Sequence, residues 1–409
     1  MLVLVLNAGS SSQKSCLYDF GESIPDDPLK PIWEADIDWK SEEGILTVES
    51  NDRERKIELE ERDTALKVLL NTLVEGENKV IDRLDEIDTV GHRVVHGGAK
   101  YSQPVRIDAD VKKEIANLIP LAPSHNPANL EGIETIEKIL PNVPQVAVFD
   151  TAFHSTIPEA AKVYPIPYQY YERGIQRYGF HGISHQYCAQ RTAQILQQSL
   201  DSLRIVTCHL GNGCSLAAIK NGICIDTTMG FSPLEGLMMG TRCGSIDPQI
   251  PLYMMQEYGM DAAQISQILN KESGLKGVSG VSNDVRSIVI AIKDGNPRAS
   301  LAYEIYLHRL LKAIASMVAS LGGIDVLVFT AGVGENHSML RERTCAGLSY
   351  LGLQLDTAKN NSDPVDTNIN TQSSSVQTLV IHTQEDWAIA TAAKKIRSEL
   401  AIAVSNKFR

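Results

Sequence analysis

Two stretches of this chain are built alike, and each opens one half of it. Residues 2–6 form an apolar, β-rich run that enters Asn7-Ala8-Gly9-Ser10-Ser11-Ser12 and returns through residues 14–18. Residues 204–209 form a second such run. It enters Leu210-Gly211-Asn212-Gly213-Cys214-Ser215 and leaves through residues 216–219, with Asn221-Gly222 as the next hairpin turn. Small residues at a strand-to-strand turn let backbone N–H groups close on an anion, and serine hydroxyls add donors. One such turn is commonplace. Two of them across 409 residues predict a duplicated α/β fold whose two domains grip phosphate from both sides of a central cleft.

Composition narrows the class. With 43% hydrophobic and 22% charged residues, the chain has the make-up of a soluble globular protein. No apolar run approaches the roughly 20 residues of a membrane helix, so no membrane partner is expected. The apolar N-terminus lacks a basic leader and a small-residue cleavage site, which makes it a strand and not a signal peptide. Seven scattered cysteines show no zinc spacing and fit reduced thiols in the cytoplasm. A net charge of −12 argues against nucleic-acid binding. It also means that an anionic substrate must be met by locally placed cations.

Further along, strands are expected at 33–38, 44–48, 88–96 and 144–149, and helices at 63–73, 108–116 and 129–139, the last stopped by Pro141. Residues 120–127 read as a proline-rich loop. In the second half, 326–330 is a buried strand opening into Ala331-Gly332-Val333-Gly334-Glu335-Asn336, and 301–321 a long amphipathic helix stopped by Gly322-Gly323. Residues 360–375 read as a polar surface loop. The helical segment 386–404 is placed back against the first domain, as a strap across the hinge. The expected domains are therefore 1–150 with 386–409, and 151–385.

Several residues can carry chemistry. In Gly91-His92-Arg93-Val94-Val95-His96-Gly97-Gly98, strand alternation points Arg93 and Val95 one way and His92, Val94 and His96 the other. A guanidinium beside a branched apolar side chain suits a small carboxylate with a short tail, although an edge-strand ion pair would look the same. Arg242 lies in a glycine-flanked loop, Met239-Gly240-Thr241-Arg242-Cys243-Gly244, after the rigid Pro233; the loop either admits a ligand or merely connects. In Tyr178-Gly179-Phe180-His181-Gly182, His181 could donate to a transferring phosphoryl group or be structural. Asp150, at the end of a buried strand, could hold magnesium, position a reacting group or cap a helix. Ser282-Asn283-Asp284-Val285-Arg286 and the 332–336 turn could flank a nucleotide, and either carboxylate of Glu385-Asp386 could bind magnesium.

Taken in this order along the chain, the motifs resemble the acetate kinase family. The carriers are 5–12, 91–98, Phe149-Asp150-Thr151-Ala152-Phe153-His154, 178–181, His209-Leu210-Gly211-Asn212-Gly213, 239–248 and 329–336. The resemblance implies the acetate/sugar kinase–Hsp70–actin fold, a duplicated actin-like, ribonuclease H-like core. It also implies reversible formation of acetyl phosphate and ADP from acetate and MgATP, with Mg²⁺ (or Mn²⁺) as cofactor. By motif match, Asn7, Ser10, Ser12 and Lys14 line the phosphate side, with Asn7 and Glu385 serving the metal. Arg93 and Arg242 hold the carboxylate and the transferring group, His181 stabilises the transition state and Asp150 aligns. Val95, Phe180 and Pro233 form the methyl pocket. His209, Leu210, Gly211, Asn212 and Gly213 contact the phosphates, with Asn212 and Gly213 as the second phosphate loop, and His125 and His209 sit near the site in supporting roles. Asp284, Val285, Arg286, Gly332, Val333, Gly334, Glu335 and Asn336 border the nucleotide. A homodimer through the second domain is implied as well.

The sequence departs from the family pattern at three places. Ser124 stands where leucine is common beside the methyl pocket, which leaves propionate open as an acceptor; Val285 replaces a larger side chain, and Cys214 a serine. A short carboxylic acid, with a pKa near about 4 to 5, is already an anion at neutral pH. No general base is then needed, and direct in-line transfer is expected. The rivals are a propionate or butyrate kinase and, from another class, a nucleotide-driven binding protein resembling actin or a heat-shock ATPase.

Overall fold

The computed structural model describes residues 1–9, 12–40 and 43–407. Ser10 and Ser11 of the first turn lie outside the described residues. The chain divides into two compact units, Met1–Ala152 with Gln384–Arg409, and Phe153–Thr383.

The first unit is built on an eight-stranded sheet: β1 (Leu2–Ala8), β2 (Ser12–Asp19), β3 (Trp33–Lys40), β4 (Glu43–Ser50), β5 (Arg53–Leu59), β6 (Thr89–Val94), β7 (Val105–Arg106) and β8 (Gln145–Phe149), in the order β5-β4-β3-β2-β1-β6-β8-β7. Val3, Leu4, Val5 and Leu6 are all buried, the mark of a central strand covered on both faces. On one face Leu4, Leu6, Leu17, Ile37 and Leu46 pack with Leu66, Leu69 and Leu73 of the helix Arg62–Val74. The helix Glu385–Lys407 packs on the other, against β1, β6 and β8. There Gly91 is needed for close approach, since a Cβ on it would lie 2.8 Å from Cγ2 of Ile389. Trp387 stacks on Phe20 with centroids 5.0 Å apart, anchoring the start of that helix.

The second unit carries six strands: β9 (Arg204–Leu210), β10 (Cys214–Lys220), β11 (Ile223–Thr227), β12 (Val326–Thr330), β13 (Thr367–Asn368) and β14 (Gln377–Val380), in the order β11-β10-β9-β12-β14-β13. β9, β10 and β11 are antiparallel neighbours, whereas β12 runs parallel to both β9 and β14. β3-β2-β1-β6-β8 has the same order and the same senses in the first unit. The duplication expected from two like turns is thus a duplication of topology. Asn221 and Gly222, with φ of 54° and 76°, close the β10–β11 hairpin as the primed turn its twist requires. The helix Pro297–Leu321 starts on an Asn296 side-chain cap and stops at left-handed Gly322.

Two expectations are corrected and one strand is added. Residues 120–127 are not simply a loop: a helix begins at Asn126, and Pro127 falls in its first turn, where a missing N–H costs nothing. Residues 360–375 include an edge strand, β13, and bury Asn360 and Ile369. β5 was not anticipated, because its charged, largely exposed residues lack apolar alternation. It is recruited by the left-handed Asn51-Asp52 turn, with φ of 51° and 58°.

Candidate active site

Strand register assembles a charged cluster within the first unit. Val5 pairs with Gly91 and Cys16, and Arg93 with Val148. Because alternate residues share a face, Asn7, Lys14, Arg93 and Asp150 emerge on the side covered by the helix that opens with Glu385 and Asp386. Arg93 Nε donates to Oδ1 of Asp150 at 3.1 Å and Nη2 to Oδ2 at 2.5 Å, a two-pronged grip on a carboxylate 1% exposed. Arg93 Nη1 also reaches Oδ1 of Asn7 at 3.4 Å. Asn7 Nδ2 donates to Asp386 at 2.8 Å, and Lys14 Nζ lies 3.3 Å from the same carboxylate. Asp150 therefore orients Arg93, which supplies the side-chain bonds to its carboxylate among the described residues.

Burial opposes the charge of Arg93, but Asp150 and then Glu385 outweigh it and hold its pKa above the ordinary arginine value. Burial likewise opposes the charge of Lys14, and Asp386 together with Cys16, Glu34 and Asp36 outweighs it. Glu385 is the crowded member: burial pushes its carboxyl up to about 7, Arg93 working against this and Asp150 and Asp386 adding to it. No lysine or arginine stands at salt-bridge distance from it among the described residues. A carboxylate in that position, with the amide of Asn7 beside it, suits a hard, oxygen-seeking cation. Among the described residues no group of three or more His, Cys, Asp and Glu side chains is arranged as a metal centre. Magnesium does not require one, since it keeps several waters and takes one or two carboxylates together with substrate phosphates.

The second unit gathers a different set. His181, left-handed at φ 57°, stands at the N-cap position of the helix Gly182–Leu196 without making a side-chain capping bond. Its ring stacks on His209 at the end of β9, centroids 4.1 Å apart, and its Nδ1 bonds Oγ of Ser215 at 2.9 Å. Arg242 Nη1 donates to the carbonyl of Pro233 at 3.0 Å. Gly213 marks where these groups meet: a Cβ there would lie 3.4 Å from Nε2 of His181 and 3.5 Å from Nη1 of Arg242. Among the described residues no carboxylate pairs with Arg242, and burial lowers its pKa. A half-buried cation without an acid, beside an imidazole edge and a side-chain-free turn, is suited to receiving an anion.

A cavity of about 430 Å³ adjoins this turn, lined by Gly211, Asn212, Asn283, Asp284, Val285, Arg286, Gly332, Val333, Asn336 and His337. Asp284 caps the helix Val285–Lys293 through the Arg286 N–H and also pairs with the Arg286 guanidinium. The two opposite charges hold each other at the cavity wall. Of the 332–336 turn, Gly334 and Glu335 are not among these lining residues. Glu335 accepts from the N–H groups of Ala331 and Thr383 and pairs with His382 at 2.6 Å, so its carboxylate serves the turn itself. Leu210 is fully buried in the core, and Cys214 Sγ turns to the carbonyl of Gly211 and the hydroxyl of Tyr306.

Among the pocket candidates, Val95 belongs to the first unit and is buried, its N–H held by Asn129; Phe180 and Pro233 belong to the second, with Phe180 1% exposed. Ser12 and Ser124 are exposed. Sequence reasoning missed His337 at the cavity, and Ser215 and His185 behind His181. The four-residue spacing of His181 and His185 on one helix was the available signal for the last.

The acetokinase family profile matches residues 2–391. Acetate kinase of Rippkaea orientalis is 61% identical over 395 residues, covering 95% of this chain and 98% of its own. Two solved structures each match 97% of this chain and 99% of theirs. Porphyromonas gingivalis acetate kinase has a TM-score of 0.89 at 41% identity, and a propionate kinase from Francisella tularensis 0.88 at 38%.

Proposed function

This chain belongs to the acetokinase family, and we propose that it catalyses reversible, direct in-line transfer of a phosphoryl group from MgATP to acetate, giving acetyl phosphate and ADP. The observation that carries this reading is Arg242, a half-buried guanidinium that has no carboxylate partner among the described residues and lies beside Nε2 of His181 and Gly213. A reaction between two anions needs such a cation more than it needs a base, because the acceptor carboxylate is already ionised at neutral pH.

In this reading the ATP phosphates approach the 211–213 turn while the nucleoside occupies the cavity bordered by Asp284, Arg286 and Gly332. Arg242 and His181 donate to the oxygens of the transferring group, where charge must be met in the transition state. Arg93, its fork already aligned by Asp150, orients the acceptor carboxylate; that acceptor is already ionised, so the transfer asks no proton acceptor of Asp150. By family resemblance the methyl group is assigned to Val95, Phe180 and Pro233. Ser12 and Lys14 add donors on the phosphate side. Glu385 and Asn7 would hold Mg²⁺, which supplies charge neutralisation of the phosphates when bound.

The test is incubation with ATP, acetate and hydroxylamine, in which an acyl phosphate is trapped as hydroxamate. No hydroxamate with acetate, propionate or butyrate would refute the reading. Propionate is a second candidate acceptor: one structural relative is titled a propionate kinase, and Ser124 is exposed and smaller than leucine. The helix Gln249–Tyr258 buries none of its residues and exposes Leu252 and Tyr253, which supports a homodimer in which a second copy covers them. No helix among the described residues is long and apolar enough to cross a membrane. The seven free thiols support a cytoplasmic setting.

A further inference from the structure

Behind His181 runs a buried chain of polar side chains that the proposed chemistry does not itself use. Cross-strand register pairs Ser215 of β10 with His209 of β9, and Ala217 with Thr207, so Thr207, His209 and Ser215 share one face of the sheet. The helix Gly182–Leu196 packs on β9 and brings His185, one turn beyond His181, onto that face. Nδ1 of His185 lies 2.6 Å from Oγ1 of Thr207, and its Nε2 lies 2.7 Å from Oγ of Ser215. Oγ of Ser215 in turn lies 2.9 Å from Nδ1 of His181. Thr207, His185 and Ser215 are all fully buried.

Counting hydrogens decides which way this chain points. His185 has no acid beside it, and burial, reinforced by His154 and His209, pushes its pKa well below the ordinary histidine value. It is a neutral ring with one N–H. In one polarity Thr207 donates to His185, His185 Nε2–H donates to Ser215, and Ser215 donates to Nδ1 of His181. Every hydrogen in the chain then has an acceptor. In the reverse polarity His181 Nδ1–H donates to Ser215, Ser215 to His185, and His185 to Thr207. The Thr207 hydroxyl hydrogen is then orphaned in the core, because His185 is the sole side-chain partner of that oxygen among the described residues. An unsatisfied buried donor is costly enough to select the first polarity.

We propose that Thr207, His185 and Ser215 are positioning residues that hold His181 as the Nε2–H tautomer, so that a neutral imidazole presents a hydrogen-bond donor to the spot beside Gly213 and Arg242. Stacking on His209, itself held by Ser184 Oγ at 2.8 Å from its Nδ1, keeps the ring in plane. What the donated hydrogen bond accomplishes rests on the phosphoryl-transfer reading above; the tautomer does not.

The deciding measurement is nitrogen NMR of the full chain labelled in its histidine rings, with no ligand present and with the His181 signals identified by their loss in His181→Gln. The expected spectrum has a protonated Nε2 and an unprotonated Nδ1 on His181. A protonated Nδ1 with a bare Nε2 overturns the proposal, whatever the activity. In Ser215→Ala the tautomer preference should be lost and kcat should fall roughly tenfold, the weight of one net hydrogen bond, with KM for ATP unchanged. Ser215→Thr, which keeps the hydroxyl, should restore both. A Ser215→Ala protein that folds and keeps the parental tautomer also overturns the proposal. Parent protein with the expected tautomer but no hydroxamate formation would refute the kinase reading and leave this one standing.

Discussion

Arg93 and Arg242 are the same side chain put to opposite conditions. In the first unit Arg93 is gripped by Asp150 through both prongs of its guanidinium. In the second, Arg242 touches a carbonyl and, at 3.7 Å, a methionine sulfur, with no acid partner among the described residues. A paired guanidinium is held in one orientation before any substrate arrives, and much of its charge is already balanced. An unpaired one bears a desolvation cost in the empty protein that an arriving anion relieves. The pair teaches that one chain can hold one guanidinium aligned by a carboxylate and leave another with only a carbonyl and a sulfur as partners among the described residues.

The largest expected break in that comparison is in stability. Arg93→Ala strands a buried Asp150 and should destabilise the first unit by about 3–5 kcal/mol, read as an earlier urea midpoint, whereas Arg242→Ala should leave the midpoint nearly unchanged. Equal losses in both would mean that Arg242 is structural. Next comes turnover. Arg242→Ala should lower kcat by about a hundred- to a thousandfold, the magnitude of losing one transition-state donor, with the circular dichroism spectrum unchanged. Near-parental kcat would remove Arg242 from the chemistry. Inorganic phosphate should also raise the melting temperature of the parent and not that of Arg242→Ala.

A smaller effect should sharpen the role of the first unit. Glu385→Gln, which keeps the shape and removes the charge, should raise the magnesium concentration for half-maximal rate by roughly ten- to a hundredfold, with KM for acetate little changed. An unaltered magnesium titration would place the metal elsewhere. The smallest effect concerns the acceptor. Ser124→Leu should shift the acetate-to-propionate ratio of kcat/KM toward acetate by roughly tenfold, and an unchanged ratio would remove Ser124 from selectivity.

Much of this was legible because local rules and tertiary need agreed. The 2–6 and 204–209 runs are central strands, and runs that apolar have few other places to go. Asn221-Gly222 closes a hairpin because both residues tolerate left-handed backbone. β5 was illegible for the complementary reason: an edge strand needs no buried face, so its charges carry no period. Glu335 looked like a ligand contact because a Gly-x-Gly turn invites one, yet its carboxylate is spent on neighbouring N–H groups and His382. Likewise Asp386, weighed only as an alternative metal ligand, turns out to be the acceptor that ties Asn7 and Lys14 together.

By itself the sequence determined the twofold plan and the inventory of cations, glycines and carboxylates, since turn chemistry and strand patterning act between near neighbours. Tertiary structure alone decided which arginine is paired and which hydroxyl lies behind His181. Those outcomes depend on register between strands and on a helix packing from 379 residues away in the chain, as Asp386 does on Asn7. No local pattern encodes that, because a side chain's partner is chosen by the face of the sheet it shares.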